Sequence, residues 1–327
     1  TKQSVASSRR LSAGTTLLKT NRTCTKKFKS ASSMFMLVPP SLGKRRGAVG
    51  GYGGASNIAI VGAGGGQSVI DLAGIRNSLG IMTLEQAQIA KIDLALGKLG
   101  LQPGMTLLDV GCGWGATMMR AVEKYDVNVV GLTLSRNQAT HVQQLLDGSG
   151  SSRSKRVLLE GWEKFDEPVD RIVSIGAFEH FGHERYASFF DMAFDALPAD
   201  GVMLLHTITG LHPNEMVERG MPLSFEFARF IKFILTEIFP GGRLPTIPMV
   251  EERATAAGFE VARVQSLQSH YARTLDLWAE ALEARRDEAI AIQSEEVYDR
   301  YMKYLTGCAK MFRIGYIDVD QFTLVKG

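Results

Sequence analysis

The feature that most constrains this chain is a glycine-rich turn at residues 111–115, which reads GCGWG. The mostly apolar run before it, residues 106–110, predicts a buried strand, and residues 116–124 predict a helix. Three glycines between a strand and a helix permit positive φ angles and close approach of the backbone to a ligand. In open α/β sheets a turn of this kind borders the crevice that binds nucleotides.

Strand and helix patterns alternate from residue 82 onward. Thr83 and Gln86 match a capping box, which predicts the start of a helix closed by Gly100. We predict strands near residues 106–110, 127–132, 156–160, 170–175, 201–207, 259–265 and 316–324, with helices mainly between the first five. This alternation predicts an α/β fold with a doubly wound, Rossmann-like sheet, mostly parallel, with an antiparallel C-terminal strand.

The first quarter of the chain has a different composition. The net charge of +3 conceals an asymmetry, because residues 1–70 contain eleven Lys or Arg and no Asp or Glu. We therefore predict a basic, disordered tail over residues 1–66 and a linker over residues 67–81. Three interpretations of the tail remain open: an organelle transit peptide, a segment that binds anionic lipid or nucleic acid, and a fused or mistranslated stretch.

Composition also limits the classes of protein to which this chain can belong. With 327 residues, 45% of them hydrophobic, the chain can bury a sizeable core. No apolar run reaches the length of a transmembrane helix. The three cysteines are far apart and form neither a disulfide framework nor a metal-ligand spacing, so we expect a cytoplasmic protein without a metal site.

Polar and aromatic residues follow the later strands, at positions that meet at one edge of a parallel sheet. They are the cluster from Thr133 to Gln138, the pair Trp162 and Glu163, the pair Glu179 and His180, and His206. The second strand lacks the carboxylate that commonly holds ribose hydroxyls, so Gln138 is expected to take that role. Simpler interpretations also apply: Trp162 or His206 could be a core residue, and Glu179 could cap a helix.

Five segments resemble the mycolic acid cyclopropane synthases, a group of S-adenosylmethionine-dependent methyltransferases. They are LLDVGCGWG, VVGLTLSRNQ, GWEKFDEPVDRIVSIGAFEHFGHERY, KFILTEIFPGGRLP and EEVYDRYMKYLTGCAKMFRIGYIDV. The resemblance covers residues 82–326 and implies a methyltransferase domain over residues 82–327, with a helical lid insertion at about 210–248. The implied reaction adds a methylene group to a double bond of a long acyl chain.

The resemblance also implies which residues hold the two small molecules of that reaction. S-adenosylmethionine would be held by Leu107, Leu108, Asp109, Val110, Gly111, Cys112, Gly113, Trp114, Gly115, Thr133, Leu134, Ser135, Arg136, Asn137, Gln138, Trp162 and Glu163. Bicarbonate, acting as the base, would be held by Glu179, His206, Tyr271 and the backbone of Ile175. Cys308 matches a cysteine proposed as catalytic, although the chemistry needs no covalent intermediate and Cys308 could serve packing alone.

The remaining expectations concern the type of reaction, the substrate and the partners. Gly176 resembles the cyclopropanating members, since hydroxylating members carry a glutamate there. The segment 224–239 confines its polar residues to a narrow stripe, so it is expected to be buried or to cover a hydrophobic channel. The acyl chain is expected to arrive on an acidic acyl carrier protein, which a basic patch would attract. We expect no nucleic acid partner for the methyltransferase domain.

One departure from the family puts activity in doubt. Residues 43–81 contain nothing like the Tyr-Ser-Cys-Ala segment with which the family closes its site. Two alternatives therefore stay open: a non-catalytic or damaged relative that still binds S-adenosylmethionine, and a small-molecule methyltransferase of the same fold.

Overall fold

The computed structural model describes residues 82–221 and 224–327, so the predicted tail and linker lie outside the described residues. The strands are β1 (Thr106–Val110), β2 (Asn128–Leu132), β3 (Lys155–Leu158), β4 (Arg171–Ile175), β5 (Val202–Gly210), β6 (Phe259–Ser266) and β7 (Ile317–Lys326). The helices are α1 (Leu84–Gly97), α2 (Ala116–Tyr125), α3 (Arg136–Asp147), α4 (Tyr186–Ala196), α5 (Pro213–Glu218), α6 (Phe225–Phe233), α7 (Ile247–Ala256), α8 (Gln268–Glu283), α9 (Arg286–Ile292) and α10 (Glu295–Arg313).

All seven strands form one sheet in the order β3-β2-β1-β4-β5-β7-β6. The first five run parallel, whereas β7 lies between β5 and β6 and is antiparallel to both. The chain order reverses between β1 and β4, which is the switch point where such sheets bind ligands. The predicted fold class is confirmed.

Apolar layers cover both faces of the sheet. Alternate residues of β1 point to opposite sides, so that Leu108 packs in the layer with α4 and α7 while Leu107 packs in the layer with α1, α2 and α3. A third apolar cluster joins α6, α8 and α10 to Val319, near the start of β7.

Element boundaries follow local chemistry with small differences from the sequence prediction. The capping box of α1 is confirmed, since Thr83 Oγ1 accepts from the Gln86 N–H at 3.2 Å and Gln86 Oε1 accepts from the Thr83 N–H at 3.0 Å. Helix α1 ends at Gly97 rather than at Gly100. Strand β5 continues to Gly210, three residues past its predicted end, because its pairing with β7 extends beyond the last residue that pairs with β4.

The segment 224–239 is helical, as predicted, but it is not buried as a whole. Ser224 caps α6, and a π-helical turn at Ile234–Ile238 extends the helix. Only Phe233 and Ile238 are buried, whereas Phe225 is 79% exposed. The helix therefore lies on the surface, with one edge packed on α8 and α10. Within residues 82–221 and 224–327, no helix is both long and apolar enough to span a bilayer.

Candidate active site

The glycine turn after β1 has the conformation that its sequence predicts. Gly111, Gly113 and Gly115 have φ angles of 84°, 55° and 83°. The backbone N–H groups of Gly111 and Cys112 donate to the Leu132 carbonyl at 3.1 and 3.0 Å, which ties this turn to the end of β2. A Cβ atom at Gly111 would lie 2.5 Å from the Ala177 Cβ, and one at Gly115 would lie 2.7 Å from a Val142 methyl. These two glycines therefore serve close packing as well as the turn.

Asp109 is the carboxylate at the carboxyl end of β1. The residue is 2% exposed, and its Oδ2 atom is buried without a hydrogen-bond partner among the described residues. Burial raises the pKa of Asp109 to about 7. An unpaired acceptor beside the glycine turn is a feature that a bound ligand with a donor group would satisfy.

Replacing Asp109 with asparagine should remove a pH dependence of stability from the ligand-free protein. The ordinary pKa of 3.8 applies to the unfolded chain, so between about pH 4 and pH 7 the folded protein holds a proton that the unfolded chain releases. Stability should therefore fall as pH rises through this window, by about 2 to 3 kcal/mol between pH 5 and pH 8. Urea unfolding at both pH values measures the effect.

The matched control is Asp166→Asn, which alters an exposed aspartate elsewhere on the surface. It should retain the pH dependence of the wild type. Equal slopes for the wild type and Asp109→Asn would show that Asp109 is not a buried acid with a raised pKa.

The turn after β2 is held by its own side chains. The Thr133 hydroxyl donates to Gln138 Oε1 at 2.7 Å and accepts from the Ser135 N–H at 3.1 Å. Ser135 caps α3. Leu134 is 82% exposed at this turn, and Arg136 and Asn137 are also exposed. The structure thus places this predicted cluster at the sheet edge beside the glycine turn, with its polar side chains partly committed to local hydrogen bonds.

Trp162 and Glu163 lie in a short 3-10 turn, Trp162–Lys164, after β3. Trp162 is 6% exposed, with its ring 5.4 Å from the Phe189 ring. Glu163 forms an ion pair with Arg185, whose guanidinium lies 5.1 Å from the Trp162 ring centre. Trp162 therefore packs in the aromatic core, and its place after β3 leaves the predicted role in cofactor binding a prediction.

The remaining residues predicted to hold the cofactor differ in how deeply they are buried. Trp114 is 37% exposed and packs edge-on against His141 at 5.2 Å. The other apolar side chains of the strand and turn lie inside the two core layers: Leu107, Leu108, Val110 and Cys112. Burial raises the pKa of the Cys112 thiol well above its usual range, so this cysteine stays protonated. These buried side chains anchor the glycine turn to the two core layers.

Glu179 lies in the 3-10 turn Phe178–His180 directly after β4. Its Oε1 atom accepts from the Ile208 N–H at 2.6 Å, and its Oε2 atom is buried without a partner among the described residues. Burial raises the pKa of Glu179. The residue thus bridges β4 to β5 rather than capping a helix at Phe181, and it leaves one carboxylate oxygen available to a ligand.

His206 and Tyr271 come together although 65 residues separate them in the chain. His206 lies on β5 opposite Ile175, the last residue of β4, and is 2% exposed. Its Nε2 atom lies 2.7 Å from the Tyr271 hydroxyl, which α8 supplies. Burial, followed by the nearby charges of Lys91 and Lys98, lowers the pKa of His206 well below its usual range. The imidazole is therefore neutral at physiological pH.

Three residues of this site were missed by sequence reasoning. Gln321 on β7 pairs directly with His206 in the β5–β7 register, and Lys98 at the end of α1 donates to Gln321 Oε1 at 2.6 Å. Lys91, about two turns before Lys98 along α1, has its pKa lowered to about 8 by burial. A polar residue inside the apolar C-terminal strand was the available signal for Gln321. The sequence contained no sign that α1 approaches β7.

Of the other predicted residues, one lies at the candidate site and one lies on helix α10. Gly176 follows Ile175 with a φ of 70°, and a Cβ atom there would meet nothing within 4 Å. Cys308 lies on α10 against the cluster of α6, α8 and α10, and burial raises its pKa to about 12. A thiol with that pKa is a poor nucleophile or base at neutral pH, which favours the packing interpretation.

Comparison with known proteins gives consistent results. The family model "Mycolic acid cyclopropane synthetase" matches residues 79–322. Cyclopropane mycolic acid synthase 1 of Mycobacterium tuberculosis is 80% identical over 245 residues, which span 75% of this chain and 85% of that protein. Cyclopropane mycolic acid synthase MmaA2 of Mycobacterium tuberculosis is 73% identical over the same length, with 75% and 85% covered.

Solved structures agree with these sequence comparisons. The crystal structure of mycolic acid cyclopropane synthase CmaA1 complexed with SAH and CTAB superimposes with a TM-score of 0.73 at 79% identity. The superposition covers 76% of this chain and 87% of that chain. The described residues of the present chain therefore have the fold of a class I methyltransferase.

Proposed function

Because the chain belongs to the mycolic acid cyclopropane synthetase family, we propose that it forms a cyclopropane ring on a long unsaturated acyl chain of the mycolic acid type. The one-carbon unit would come from S-adenosylmethionine. The observation that carries this proposal is the meeting of Glu179, His206 and Tyr271 beside the ends of β4 and β5.

Cofactor binding is supported by the chemistry of the glycine turn. When bound, S-adenosylmethionine supplies the methyl group of its sulfonium. The residues that would hold it include the backbone of the glycine turn, Asp109 with its unpaired oxygen, and the Thr133–Gln138 turn. A relative with 79% identity was solved with SAH, which supports the same site here.

The carboxylate and hydroxyl near β5 would fit a small oxyanion. When bound, bicarbonate supplies a base for the proton that ring closure releases. Glu179 Oε2 is an acceptor without a partner, so it would accept a hydrogen bond from the hydroxyl of that ion, and Tyr271 would donate to it. The ammonium groups of Lys91 and Lys98 add positive potential near His206.

The protein would contribute positioning and exclusion of water. An isolated alkene is a weak nucleophile, so the two reacting carbons must be held at near-attack distance. Addition of the methyl group leaves a cation on the acyl chain, and water would trap it as an alcohol. The aromatic side chains of the helix cluster, including Phe233, Tyr304 and Phe312, would provide an apolar wall around that chain.

An acyl carrier protein would deliver the chain to a basic surface. A groove of about 650 Å³ lies between α6 and α10, lined by Phe227, Phe230, Met311 and Tyr316 among others. Arg229, Lys303 and Lys310 are part of its lining, together with Glu226, which pairs with Lys310 at 3.0 Å. Positive charge beside an apolar groove suits an acidic carrier with a lipid attached. The lid over residues 210–248 remains part of this proposal.

A single incubation tests the proposed function against its alternatives. The full chain is mixed with methyl-labelled S-adenosylmethionine and an unsaturated acyl chain on an acyl carrier, and the lipids are analysed by mass spectrometry. We expect a product that gains one labelled CH₂ and no oxygen. A product that also gains water would indicate hydroxylation, and an unmodified lipid would contradict the proposal.

The segment that departs from the family needs its own comparison. If the chain binds S-adenosylmethionine in calorimetry yet yields no product, a non-catalytic relative is favoured. A chimera that carries an active relative's segment in place of residues 43–81 then shows whether that segment alone limits turnover.

A further inference from the structure

Four side chains from four different elements form one continuous hydrogen-bonded chain behind the candidate site. Lys98 Nζ donates to Gln321 Oε1 at 2.6 Å, and Gln321 Nε2 lies 3.2 Å from His206 Nδ1. His206 Nε2 lies 2.7 Å from the Tyr271 hydroxyl. Gln321 and His206 are 0% and 2% exposed, so water does not compete for the middle of the chain.

The direction of each hydrogen bond follows from Lys98. An ammonium group can only donate, so the amide atom that it meets must be the oxygen of Gln321. The amide nitrogen of Gln321 then faces His206 and donates to Nδ1, which must carry a lone pair. In a neutral imidazole the proton therefore resides on Nε2, which donates to the oxygen of Tyr271.

We propose that Lys98 and Gln321 are positioning residues that hold His206 in its Nε2–H tautomer, so that the Tyr271 hydroxyl turns its hydrogen toward the reaction site. The oxygen of Tyr271 already accepts from His206, and its one hydrogen must find another acceptor. Burial, followed by the charge of Glu179, raises the pKa of Tyr271, so the hydroxyl keeps its hydrogen at neutral pH.

The opposite tautomer would abolish this arrangement. With the proton on Nδ1, the His206 Nε2 atom would need a donor, and Tyr271 would have to turn its hydrogen inward. The site would lose its hydroxyl donor, and two donors would face each other between Gln321 and His206. Burial, followed by the charges of Lys91 and Lys98, also opposes addition of a second proton to the imidazole.

The proton positions can be measured without turnover, by ¹⁵N NMR of the full-length protein labelled at histidine, with His206 assigned from a His206→Asn variant. We expect a protonated Nε2 and an unprotonated Nδ1 in the wild type. Gln321→Glu should place a proton on Nδ1, because a carboxylate at that position can only accept. Lys98→Met should yield mixed tautomers, because the amide can then rotate.

Two further variants complete the design. Lys98→Arg should restore the wild-type pattern, since its guanidinium also donates to Gln321. Lys124→Met is the matched control, because Lys124 is paired with Asp93 and takes no part in the chain. In the labelled incubation, Lys98→Met should lower kcat for ring formation by about tenfold or more and leave the affinity for S-adenosylmethionine unchanged.

The outcomes separate this inference from the proposed function, on which it rests only for its effect on ring formation. A proton on Nδ1 of wild-type His206 would overturn the inference even in a fully active enzyme. The inference would also be overturned if Gln321→Glu and Lys98→Met both fold and both keep the wild-type tautomer. If Gln321→Glu does not fold, the tautomer of Lys98→Met alone decides. The expected spectra with no lipid product in any variant would contradict the proposed function alone.

Discussion

Replacing Glu179 with glutamine should reduce cyclopropane formation by about 10²- to 10⁴-fold, the range typical of losing a group that assists proton transfer. The change is nearly isosteric. Its amide oxygen can still accept from the Ile208 N–H, which Glu179 Oε1 now does at 2.6 Å, so the link between β4 and β5 should persist. What is lost is the negative charge and the acceptor at the unpaired Oε2 atom.

The measurement is product formed per minute at saturating S-adenosylmethionine, together with calorimetric affinity for S-adenosylmethionine. We expect the affinity to be unchanged, because Glu179 lies after β4 whereas the glycine turn follows β1. Glu184→Gln is the matched control, since Glu184 is exposed in the next turn, His183–Arg185. Wild-type product yield from Glu179→Gln would remove this carboxylate from the proposed mechanism.

Replacing Gly113 with valine should weaken S-adenosylmethionine binding by about tenfold to a hundredfold. Gly113 has a φ of 55°, a conformation that a β-branched residue adopts only at a cost of about 1 to 3 kcal/mol. Either the turn changes shape or the side chain occupies space beside the ligand, and each 1.4 kcal/mol lost corresponds to about tenfold in affinity. Gly113 is preferred to Gly111, where a Cβ atom would also collide with Ala177.

The control for backbone strain is Gly150→Val. Gly150 has a φ of 66° in the connection before β3, and a Cβ atom there would meet nothing within 4 Å. Both variants should lose similar stability in urea unfolding, but only Gly113→Val should lose affinity in calorimetry. If Gly113→Val binds S-adenosylmethionine as tightly as the wild type, the glycine turn does not hold this cofactor.

Much of the fold could be predicted because its signals are local. The GCGWG turn, the strand patterns around it and the capping box at Thr83 each depend on residues close in sequence, and all appear in the structure. The ends of the elements were less predictable. Strand β5 extends to Gly210 because a neighbour from the far end of the chain, β7, offers it hydrogen-bond partners.

The candidate site was predictable only in part, for a related reason. Glu179 and His206 could be proposed from strand ends, whereas Tyr271 entered through the family resemblance alone. Trp162 was ambiguous in sequence between a stacking surface and a core aromatic, and the structure shows that it packs against Phe189 while its contact with a cofactor stays a prediction. Cys308 was equally ambiguous, and its burial on α10 explains why its pKa is high.

By itself, the amino-acid sequence determined the fold class and which edge of the sheet binds ligands, because hydrophobic periodicity and glycine turns depend on residues that are neighbours in the sequence. Only the tertiary structure decided that β7 inserts between β5 and β6 and that α1 ends beside it. Those two placements bring Gln321 and Lys98 to His206 from more than a hundred residues away in either direction. Hydrogen-bond direction in a buried site depends on every partner at once, so no local pattern could have specified it.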